Sequence, residues 1–500
     1  MTDVLWSPSA ERIERSALRA YLDWLAEREG RPFDDHDALH AWSVADVDRF
    51  WRSVVDYYDV AFSTPWEQVR TADDMPHTRW FTGARLNWAE HALRRGADDD
   101  PALVCVREGG APAREITWSQ LRRSVAAAAG WLRRAGVRPG DRVCAYLPNT
   151  EHAVIGLLAA ASVGAVWSCC SPDFGAEGTI GRLAQLEPTV LIAADGYHWN
   201  GRDVDRADVV ARLRAELPTV RHVVAVPYVF DRPVPEGATP WGELLAVDVE
   251  PEFTQVEFSH PLWVLFTSGT TGLPKGLVHG HGGITLEGLK WSGLYCGLRP
   301  GERMFTYTST GWALWNMQLG ALTQGASIVL YEGSPGHPPG AVWEVAARTG
   351  ADVVLMGAAV VTATANTGVS RAPSTTCPGC GTSWSAARRC RPPATTGCTP
   401  TSTRTCGSTR PAAAPTSPAR SSARTSTPRS GPGGSAAGSR ASTVPPGTPT
   451  ATRSSTRSAT WWSSSRCRRC RCTCGTTRTP SATPTPTSTP GPVCGGTGTG

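Results

Sequence analysis

The chain has 500 residues and a formal net charge of +5 at pH 7, a value that averages two unlike parts. Residues 371–500 contain 17 Arg and no Asp or Glu, whereas residues 1–370 contain 32 Lys plus Arg against 44 Asp plus Glu. The acidic first part is long enough for a large core and has no basic patch of the kind that attracts nucleic acid, so we expect no nucleic-acid partner.

The first 90 residues predict helices. The opening stretch MTDVLWSPSAERIERSALRAYLDWL is charged and lacks the apolar core of a signal peptide. The segment closes on a tryptophan-rich stretch that ends in WFTGARLNWAEHALRR. We therefore expect a helical N-terminal segment in a cytoplasmic protein.

From about Pro101 onward, short apolar segments alternate with helical ones such as Thr117–Ala135 and Glu151–Val163. Alternation of this kind predicts an α/β fold with mostly parallel sheets flanked by helices on both faces. The predicted strands are Ala102–Arg107, Arg142–Leu147, Thr189–Ala193, Val220–Val226, Trp263–Phe266, Ser327–Tyr331 and Asp352–Met356.

The longest apolar run, residues 153–167, is interrupted by Ser162 and glycines. It is too short to span a membrane and predicts a buried helix leading into a strand, so we expect no membrane partner. Most of the five cysteines before residue 371 lie in apolar runs. Buried, reduced thiols of this kind are typical of cytosolic proteins.

The string LFTSGTTGLPKG follows the predicted strand that ends at Phe266. Its glycines allow backbone N–H groups to approach phosphate oxygens, and its hydroxyls and lysine supply further donors. The spacing differs from the Walker sequence GxxxxGK[ST], and the residue types alone fit a surface turn equally well. The candidate polyphosphate-binding residues are Thr267, Ser268, Gly269, Thr270, Thr271, Gly272 and Lys275.

The complete string TSGTTGLPKG resembles the phosphate loop of the adenylate-forming acyl-CoA ligases, and the resemblance extends over most of residues 35–365. WFTGARLNWAEHAL resembles the N-terminal motif of the acetyl- and acetoacetyl-CoA synthetase branch. Residues 164–175, 194–206, 278–290 and 309–338 are similar to acetoacetyl-CoA synthetases in particular. The resemblance implies that residues 1–95 form a helical N-terminal segment of the type found in that branch. It also implies that residues 96–365 form an incomplete AMP-binding domain, which is the large N-terminal domain of adenylate-forming enzymes.

This resemblance implies an ATP-dependent ligation in two steps. Acetoacetate attacks the α-phosphate of ATP to give an acyl-adenylate and pyrophosphate, and CoA then displaces AMP. ATP, Mg²⁺ and the co-substrate CoA are the implied ligands. Residues 269–272 would hold the β- and γ-phosphates, and Lys275 would follow the departing pyrophosphate. Two alternatives stay open: a ligase for acetate, propionate or a hydroxybutyrate, and a non-catalytic nucleotide-binding remnant.

The same resemblance marks candidate substrate residues. Gly311 and Trp312 match the position where an aromatic ring lines the acyl pocket, and Trp315 is a further candidate for that pocket; core tryptophans beside a strand are the alternative. Arg202 falls near the position where relatives contact a phosphate of CoA, although a solvated surface arginine explains it equally well. His279 and His281 have poor spacing for a metal pair, and no metal ligand is assigned; we expect turn residues near the nucleotide.

Residues 371–500 use only nine amino-acid types, and all except Val have codons with G or C at the second base. A GC-rich gene read one frame out has this composition. Reread in a shifted frame, PVCGGTGTG allows GVWRHGDW and STRPAAAPTS allows NSTSGGTD, and both strings contain motifs of the same ligases. We therefore hypothesise a frameshift around residues 360–375.

The low-complexity tail, 371–500, has almost no aliphatic side chains to bury, and its composition predicts disorder. Its CPGC and CRRCRCTC strings resemble metal-ligand spacing, and its arginines resemble an RNA-binding segment, but misreading a GC-rich gene produces both. The family's acidic magnesium ligand, ribose-binding Asp and C-terminal catalytic lysine are absent from the chain as written. The catalytic residue is therefore unknown, and we expect this chain to be inactive.

Overall fold

The computed structural model describes residues 4, 6–267 and 272–366. All of them fall within the first of the two units, Met1–Pro428, into which the chain divides. The helices in this described part are α1 Ala10–Glu14, α2 Ala17–Glu29, α3 His36–Ala45, α4 Val47–Tyr57, α5 Trp88–Leu93, α6 Trp118–Arg134, α7 Glu151–Val163, α8 Ala176–Leu183, α9 Ala207–Glu216, α10 Trp241–Leu245, α11 His281–Leu289, α12 Ala313–Gln318, α13 Ala341–Thr349 and α14 Ala358–Asn366.

The described part also contains strands, and from Pro101 onward they alternate with these helices, which confirms the predicted α/β class. They are β1 Gln68–Arg70, β2 Trp80–Thr82, β3 Arg85–Leu86, β4 Pro101–Arg107, β5 Arg114–Thr117, β6 Arg142–Tyr146, β7 Val166–Cys170, β8 Val190–Ala194, β9 Gly196–Trp199, β10 Arg202–Asp205, β11 His222–Val226, β12 Ala238–Pro240, β13 Val256–Glu257, β14 Pro261–Phe266, β15 Gly276–Gly280, β16 Arg303–Tyr307, β17 Ser327–Glu332 and β18 Val353–Met356.

Two larger sheets organise the fold. The first has seven strands in the order β12-β11-β8-β6-β7-β14-β15 and is parallel except for its last pair, β14 and β15. The second has five strands in the order β18-β16-β17-β4-β5 and is parallel except for β4 and β5. Mostly parallel sheets of this kind must be covered on both faces, which explains the apolar runs of the sequence.

The largest apolar core is shared by both sheets. Helix α7 is buried along almost its whole length, and its side chains pack in one cluster with β6 and β8 of the first sheet and β4 and β17 of the second. Helix α6 begins with a capping box in which Thr117 and Gln120 satisfy each other's backbone N–H groups. The two helices fix the position of one sheet relative to the other.

The prediction of helix for residues 1–90 is correct for the four helices that end at Tyr57 and wrong for the following segment. Three short strands lie between residues 68 and 86 instead, and Gln68–Arg70 and Trp80–Thr82 each have a buried residue flanked by more exposed ones. That alternation has a period of two and suits a strand. The extended segment packs with the N-terminal helices in an aromatic-rich second core.

Among the residues that the structure describes, no helix is both long enough and apolar enough to cross a lipid bilayer.

Candidate active site

The glycine- and threonine-rich loop connects the antiparallel strands β14 and β15. Phe266 pairs with Gly276 at the end of the ladder, and one further bond, from the N–H of Thr267 to the carbonyl of Lys275 at 3.0 Å, closes the neck of the loop. Ser268, Gly269, Thr270 and Thr271 lie outside the described residues. The loop is therefore held at its base by a regular hairpin.

Gly272 and Lys275 form the described part of the returning limb. Gly272 has a φ of +96°, a conformation that favours glycine. The side-chain amide of Gln185 donates to the carbonyl of Pro274 at 3.0 Å and fastens this limb to the segment after α8. The Lys275 side chain is exposed, as a group that follows a departing anion must be.

Lys275 is one of only two lysines in the chain, and the other is Lys290. The ammonium group of Lys290 pairs with Glu287 at 2.8 Å and lies 4.9 Å from the ring centroid of Trp51. No carboxylate among the described residues pairs with Lys275. Its charge is therefore available to an anionic ligand.

The candidate acid segment, Thr308–Trp315, follows β16 of the second sheet and leads into α12. Gly311 lies against Phe174, since a Cβ added to this glycine would be 3.0 Å from Cζ of that ring. Trp312 is 59 % exposed. Trp315 is fully buried, and its indole Nε1 donates to Oδ1 of Asn149 at 2.8 Å. The structure thus places Trp312 at the surface and Trp315 in the core.

Hydrogen bonds across the two sheets bring the acid segment to the edge that also carries the phosphate loop. The loops after β6, β7 and β14 leave the carboxyl ends of parallel strands, and such ends share one edge of a sheet. Strands β7 and β8 flank β6 on opposite sides, which creates the crevice where α/β proteins bind ligands. Thr310 donates to the carbonyl of Leu147, just after β6, at 2.6 Å. The acid segment therefore lies at this crevice.

Arg202 lies on the exposed side of the β9–β10 hairpin, opposite Trp199. The hairpin is fastened to the second sheet by two buried glutamates. Glu108 accepts from the backbone N–H groups of the hairpin turn and of Ser334, and Glu332 accepts from the N–H of His198 at 2.6 Å. The position of Arg202 is thus fixed, with its side chain exposed to solvent.

We expect Glu332 to make the free energy of unfolding fall as the pH rises. Burial raises the pKa of Glu332 from 4.5 to about 7, and the nearby Glu108 carboxylate acts in the same direction. Between these two pH values the folded state keeps a proton that the unfolded chain releases. The contribution of Glu332 is fully present below about pH 4.5 and is lost as the pH rises through about 7, a loss of about 3 kcal/mol.

Urea unfolding between about pH 5 and pH 8 measures this loss. Glu332→Gln stays neutral, so the wild-type chain should lose stability relative to this variant as the pH rises. Glu11→Gln, at an exposed position, serves as the control and should follow the wild-type curve. Identical pH dependence in the wild type and Glu332→Gln would show that Glu332 is already ionised in the folded state.

His279 and His281 lie in regular elements, since His279 is in β15 and His281 begins α11. The expectation of turn residues is therefore wrong. Nδ1 of His281 accepts from the N–H of Trp88 at 3.1 Å, and burial lowers the pKa of His281 to about 3. Both observations describe a neutral core histidine, and no group of three His, Cys, Asp or Glu side chains in the described residues could hold a metal ion.

The family model described as AMP-binding enzyme matches residues 89–400. The chain belongs to this family. A second family model, acetyl-coenzyme A synthetase N-terminus, matches residues 36–92 of the chain. The first match extends beyond residue 365, where the sequence predicts the end of the domain.

Several individual relatives of the chain are named as acetoacetyl-CoA synthetases. It is 41 % identical to the acetoacetyl-coenzyme A synthetase of Rhizobium meliloti, over 68 % of this chain and 52 % of the relative. It is 36 % identical to the acetoacetyl-CoA synthetase of Macaca fascicularis, over 71 % of this chain and 54 % of the relative.

Among solved structures, acetoacetyl-CoA synthetase from Streptomyces lividans matches with a TM-score of 0.72 and 49 % identity, over 74 % of this chain and 57 % of that one. The chain thus spans about half the length of the relatives it matches. These comparisons confirm the predicted resemblance.

Sequence reasoning missed three groups of side chains near the candidate site: Asn149, Phe174 and the two buried glutamates, Glu108 and Glu332. Asn149 and Phe174 follow predicted or apolar strands in the strings LPNT and SPDFG. Polar or aromatic residues directly after a parallel strand are a signal for the ligand edge of a sheet. Glu108 and Glu332 also follow or end strands, but no local pattern distinguishes them from solvated glutamates.

Proposed function

We propose that this chain carries part of an acetoacetate–CoA ligase, which joins acetoacetate to CoA through an acyl-adenylate. The observation that carries the proposal is the placement of the base of the glycine- and threonine-rich loop, with exposed Lys275, at the sheet edge where the acid segment with Trp312 also lies. The names of the relatives support acetoacetate as the acid. Acetate, propionate and a hydroxybutyrate are the alternatives that substrate profiling would separate.

The first half-reaction brings a carboxylate to the α-phosphate of ATP and releases pyrophosphate. Backbone N–H groups of residues 269–272 would hold the β- and γ-phosphates, and the exposed ammonium group of Lys275 would offset the charge of the pyrophosphate as it departs. Trp312 would form one wall of the acid pocket and limit the pocket to a short acid. Arg202 would contact a phosphate of CoA in the second half-reaction.

The resemblance also implies Mg²⁺, which proteins usually hold through one or two carboxylates together with substrate phosphates. The described residues contain no cluster of three side chains that could hold a metal ion, and no Asp or Glu follows Asp352 in the sequence. No residue of the chain is therefore assigned as a magnesium ligand, and no step is assigned to the metal.

We propose domain boundaries that follow the same reasoning. Residues 1–95 form the N-terminal segment, residues 96–365 form an incomplete AMP-binding domain, and residues 371–500 are an out-of-frame product. The nucleotide sequence of codons 355–380 tests the last point, since one intact frame through this region would exclude a frameshift. The reduced thiols of Cys105, Cys144, Cys169 and Cys170 support a cytoplasmic location.

A second candidate function, a nucleotide-binding remnant without catalysis, is favoured by one observation. Residues 371–500 contain no Asp, Glu, Lys or His, so they supply none of the side chains that hold metal or donate protons in ligases of this family. Tight ATP binding without pyrophosphate exchange would support the remnant over the ligase.

We expect ATP to perturb Lys275 and to leave Lys290 unchanged. Because the chain has only two lysines, reductive ¹³C-methylation gives two side-chain signals that retain their positive charge, and Lys290→Arg assigns them by removing one. Lys275→Ala should weaken ATP binding about tenfold or more, since a charge-assisted hydrogen bond contributes about 1.5 to 3 kcal/mol.

Lys290→Arg is the matched control for affinity, because it leaves the phosphate loop untouched and should bind ATP as the wild type does. If saturating ATP moved neither methyl signal, or moved that of Lys290 alone, the phosphate loop would not be the nucleotide site and the proposed function would fail.

A further inference from the structure

We propose that Asn149 is a positioning residue for the acid site, which acts by fixing the backbone that carries Trp312. Asn149 lies in the loop after β6 of the first sheet, whereas Trp312 follows β16 of the second. The inference rests on the proposed function in one respect only, the assignment of Trp312 to the acid pocket.

The Asn149 side chain is buried and connects three segments, which are the loop after β16, strand β17 and helix α12. Its Nδ2 donates to the carbonyl of Thr308 at 3.4 Å and to the carbonyl of Tyr331 at 3.2 Å. Its Oδ1 accepts from the indole of Trp315 at 2.8 Å. Both Nδ2 protons of Asn149 and one acceptor position of its Oδ1 therefore take part in hydrogen bonds. A side chain that is only 5 % exposed and bonded in this way holds its partners in one arrangement.

A second contact fastens the same segment just before Trp312. Thr310 is buried, and its hydroxyl donates to the carbonyl of Leu147, two residues before Asn149, at 2.6 Å. Directly after Thr310, Gly311 packs against Phe174, where an added Cβ would lie 3.0 Å from the ring. The residues on both sides of Trp312 are therefore held by loops of the first sheet.

Trp312 itself has little packing to fix its direction. Its side chain is 59 % exposed, and its backbone forms the N-terminal boundary of α12 with φ of −113° and ψ of 145°. The N–H of Trp315 donates to the carbonyl of Trp312 at 2.9 Å, so the backbone of Trp312 follows the Trp315 anchor. The backbone position of Trp312, and with it the direction of its Cα–Cβ bond, therefore depends on Asn149 and Thr310.

Asn87 provides a matched control for the loss of a buried asparagine. It is fully buried, its Nδ2 donates to the carbonyls of Ala161 and Thr254 at 2.8 Å each, and its Oδ1 accepts from the N–H of Ala89 at 2.9 Å. It thus makes as many hydrogen bonds as Asn149, but none of them involves the acid segment. A difference between Asn149→Ala and Asn87→Ala therefore reports on position rather than on general stability.

The test measures acetoacetate and ATP binding to the full 500-residue chain by ligand-observed NMR. Asn149→Ala should weaken acetoacetate binding about tenfold or more, because displacement of a positioned group by about 1 Å has effects of this order. The affinity of Asn149→Ala for ATP should stay within about twofold of the wild type. The affinities of Asn87→Ala for acetoacetate and for ATP should both stay within the same range. Thr310→Val is nearly isosteric and should also weaken acetoacetate binding. It provides a second test of the same segment in case Asn149→Ala does not fold.

A double-mutant cycle with Trp312→Ala distinguishes positioning from a purely structural role. If Asn149 acts through Trp312, Asn149→Ala should have almost no further effect on acetoacetate binding once Trp312 is removed. An undiminished effect in the Trp312→Ala background, or equal losses of ATP and acetoacetate binding, would overturn the inference. So would wild-type affinity for acetoacetate in Asn149→Ala.

The same measurements separate this inference from the proposed function. If the wild-type chain binds acetoacetate and Asn149→Ala binds it equally well, the positioning role alone fails. If the wild-type chain binds ATP at Lys275 but binds no short acid, the ligase assignment fails and the positioning role fails with it.

Discussion

Acetoacetate-dependent exchange of pyrophosphate into ATP is expected to be at least about a thousandfold slower in the 500-residue chain than in the frame-corrected protein. Loss of one preorganised electrostatic contact in an active site reduces turnover about a hundredfold to a thousandfold, and this chain lacks more than one. We therefore expect the difference between the two proteins to exceed that of any single substitution.

The physical reason lies in the composition after the acid segment. Asp352 is the last acidic residue, and Lys290 is the last lysine. Adenylation brings an anionic acid to an anionic triphosphate, so it needs a bound metal ion and groups that hold the ribose in place. The shifted-frame strings NSTSGGTD and GVWRHGDW restore carboxylates that resemble the family's metal and ribose motifs, whereas the written tail supplies none.

The control is frame-corrected protein that carries Lys275→Ala, which keeps the restored carboxylates but loses the phosphate-loop charge. It should fall between the other two proteins in exchange rate. Exchange by the 500-residue chain at the rate of the corrected protein would contradict the prediction. ATP binding without exchange in both proteins would instead favour the nucleotide-binding remnant.

Most central strands of both sheets were predictable because their sequence is apolar on both faces. All seven predicted strands are present, and β8, with all five residues buried, is an example. Strand β16, Arg303–Tyr307, was missed although it lies between β17 and β18. Its sequence RMFTY has only two consecutive apolar residues, Met304 and Phe305, so a short window does not identify it, and the pairing that makes it a strand comes from distant segments.

The candidate site was predictable only where its chemistry is local. The phosphate loop is one continuous string, and its residue types indicate its ligand. The environments of Trp312 and Trp315 differ for a reason that is not local, because Asn149, the partner of Trp315, is 166 residues away in sequence. Likewise, the burial of Glu332 depends on a hairpin that another sheet supplies. Neither the contact between Asn149 and Trp315 nor the burial of Glu332 can be predicted from the spacing of residues in the sequence.

Trp315→Ala is expected to lower the free energy of unfolding by about 3 to 5 kcal/mol, the range for removing a large aromatic side chain from a core. Trp315 is fully buried in the core that both sheets share. Its removal also leaves Oδ1 of Asn149 without its indole donor, and an unpaired buried acceptor adds to the cost of the cavity. Urea unfolding measures the loss as a lower midpoint.

Trp312→Ala is the matched variant, since the same residue type is removed three positions earlier in the chain. Because Trp312 is 59 % exposed, we expect its loss to change the free energy of unfolding by no more than about 0.5 kcal/mol. Its effect should appear in acetoacetate binding instead. Trp315→Phe, which keeps an aromatic ring but loses the N–H group, should fall between the wild type and Trp315→Ala in stability.

The two tryptophans therefore separate stability from binding within one short segment. If Trp312→Ala destabilised the chain as much as Trp315→Ala, the exposed placement of Trp312 would be wrong, and its assignment to the acid pocket would lose its basis. If Trp315→Ala left the unfolding midpoint unchanged, the shared core would not depend on this side chain. The expected pattern, with a large loss of stability at Trp315 and a loss of acid binding at Trp312, requires that Trp312 contacts the acid while Trp315 supports the backbone beneath it.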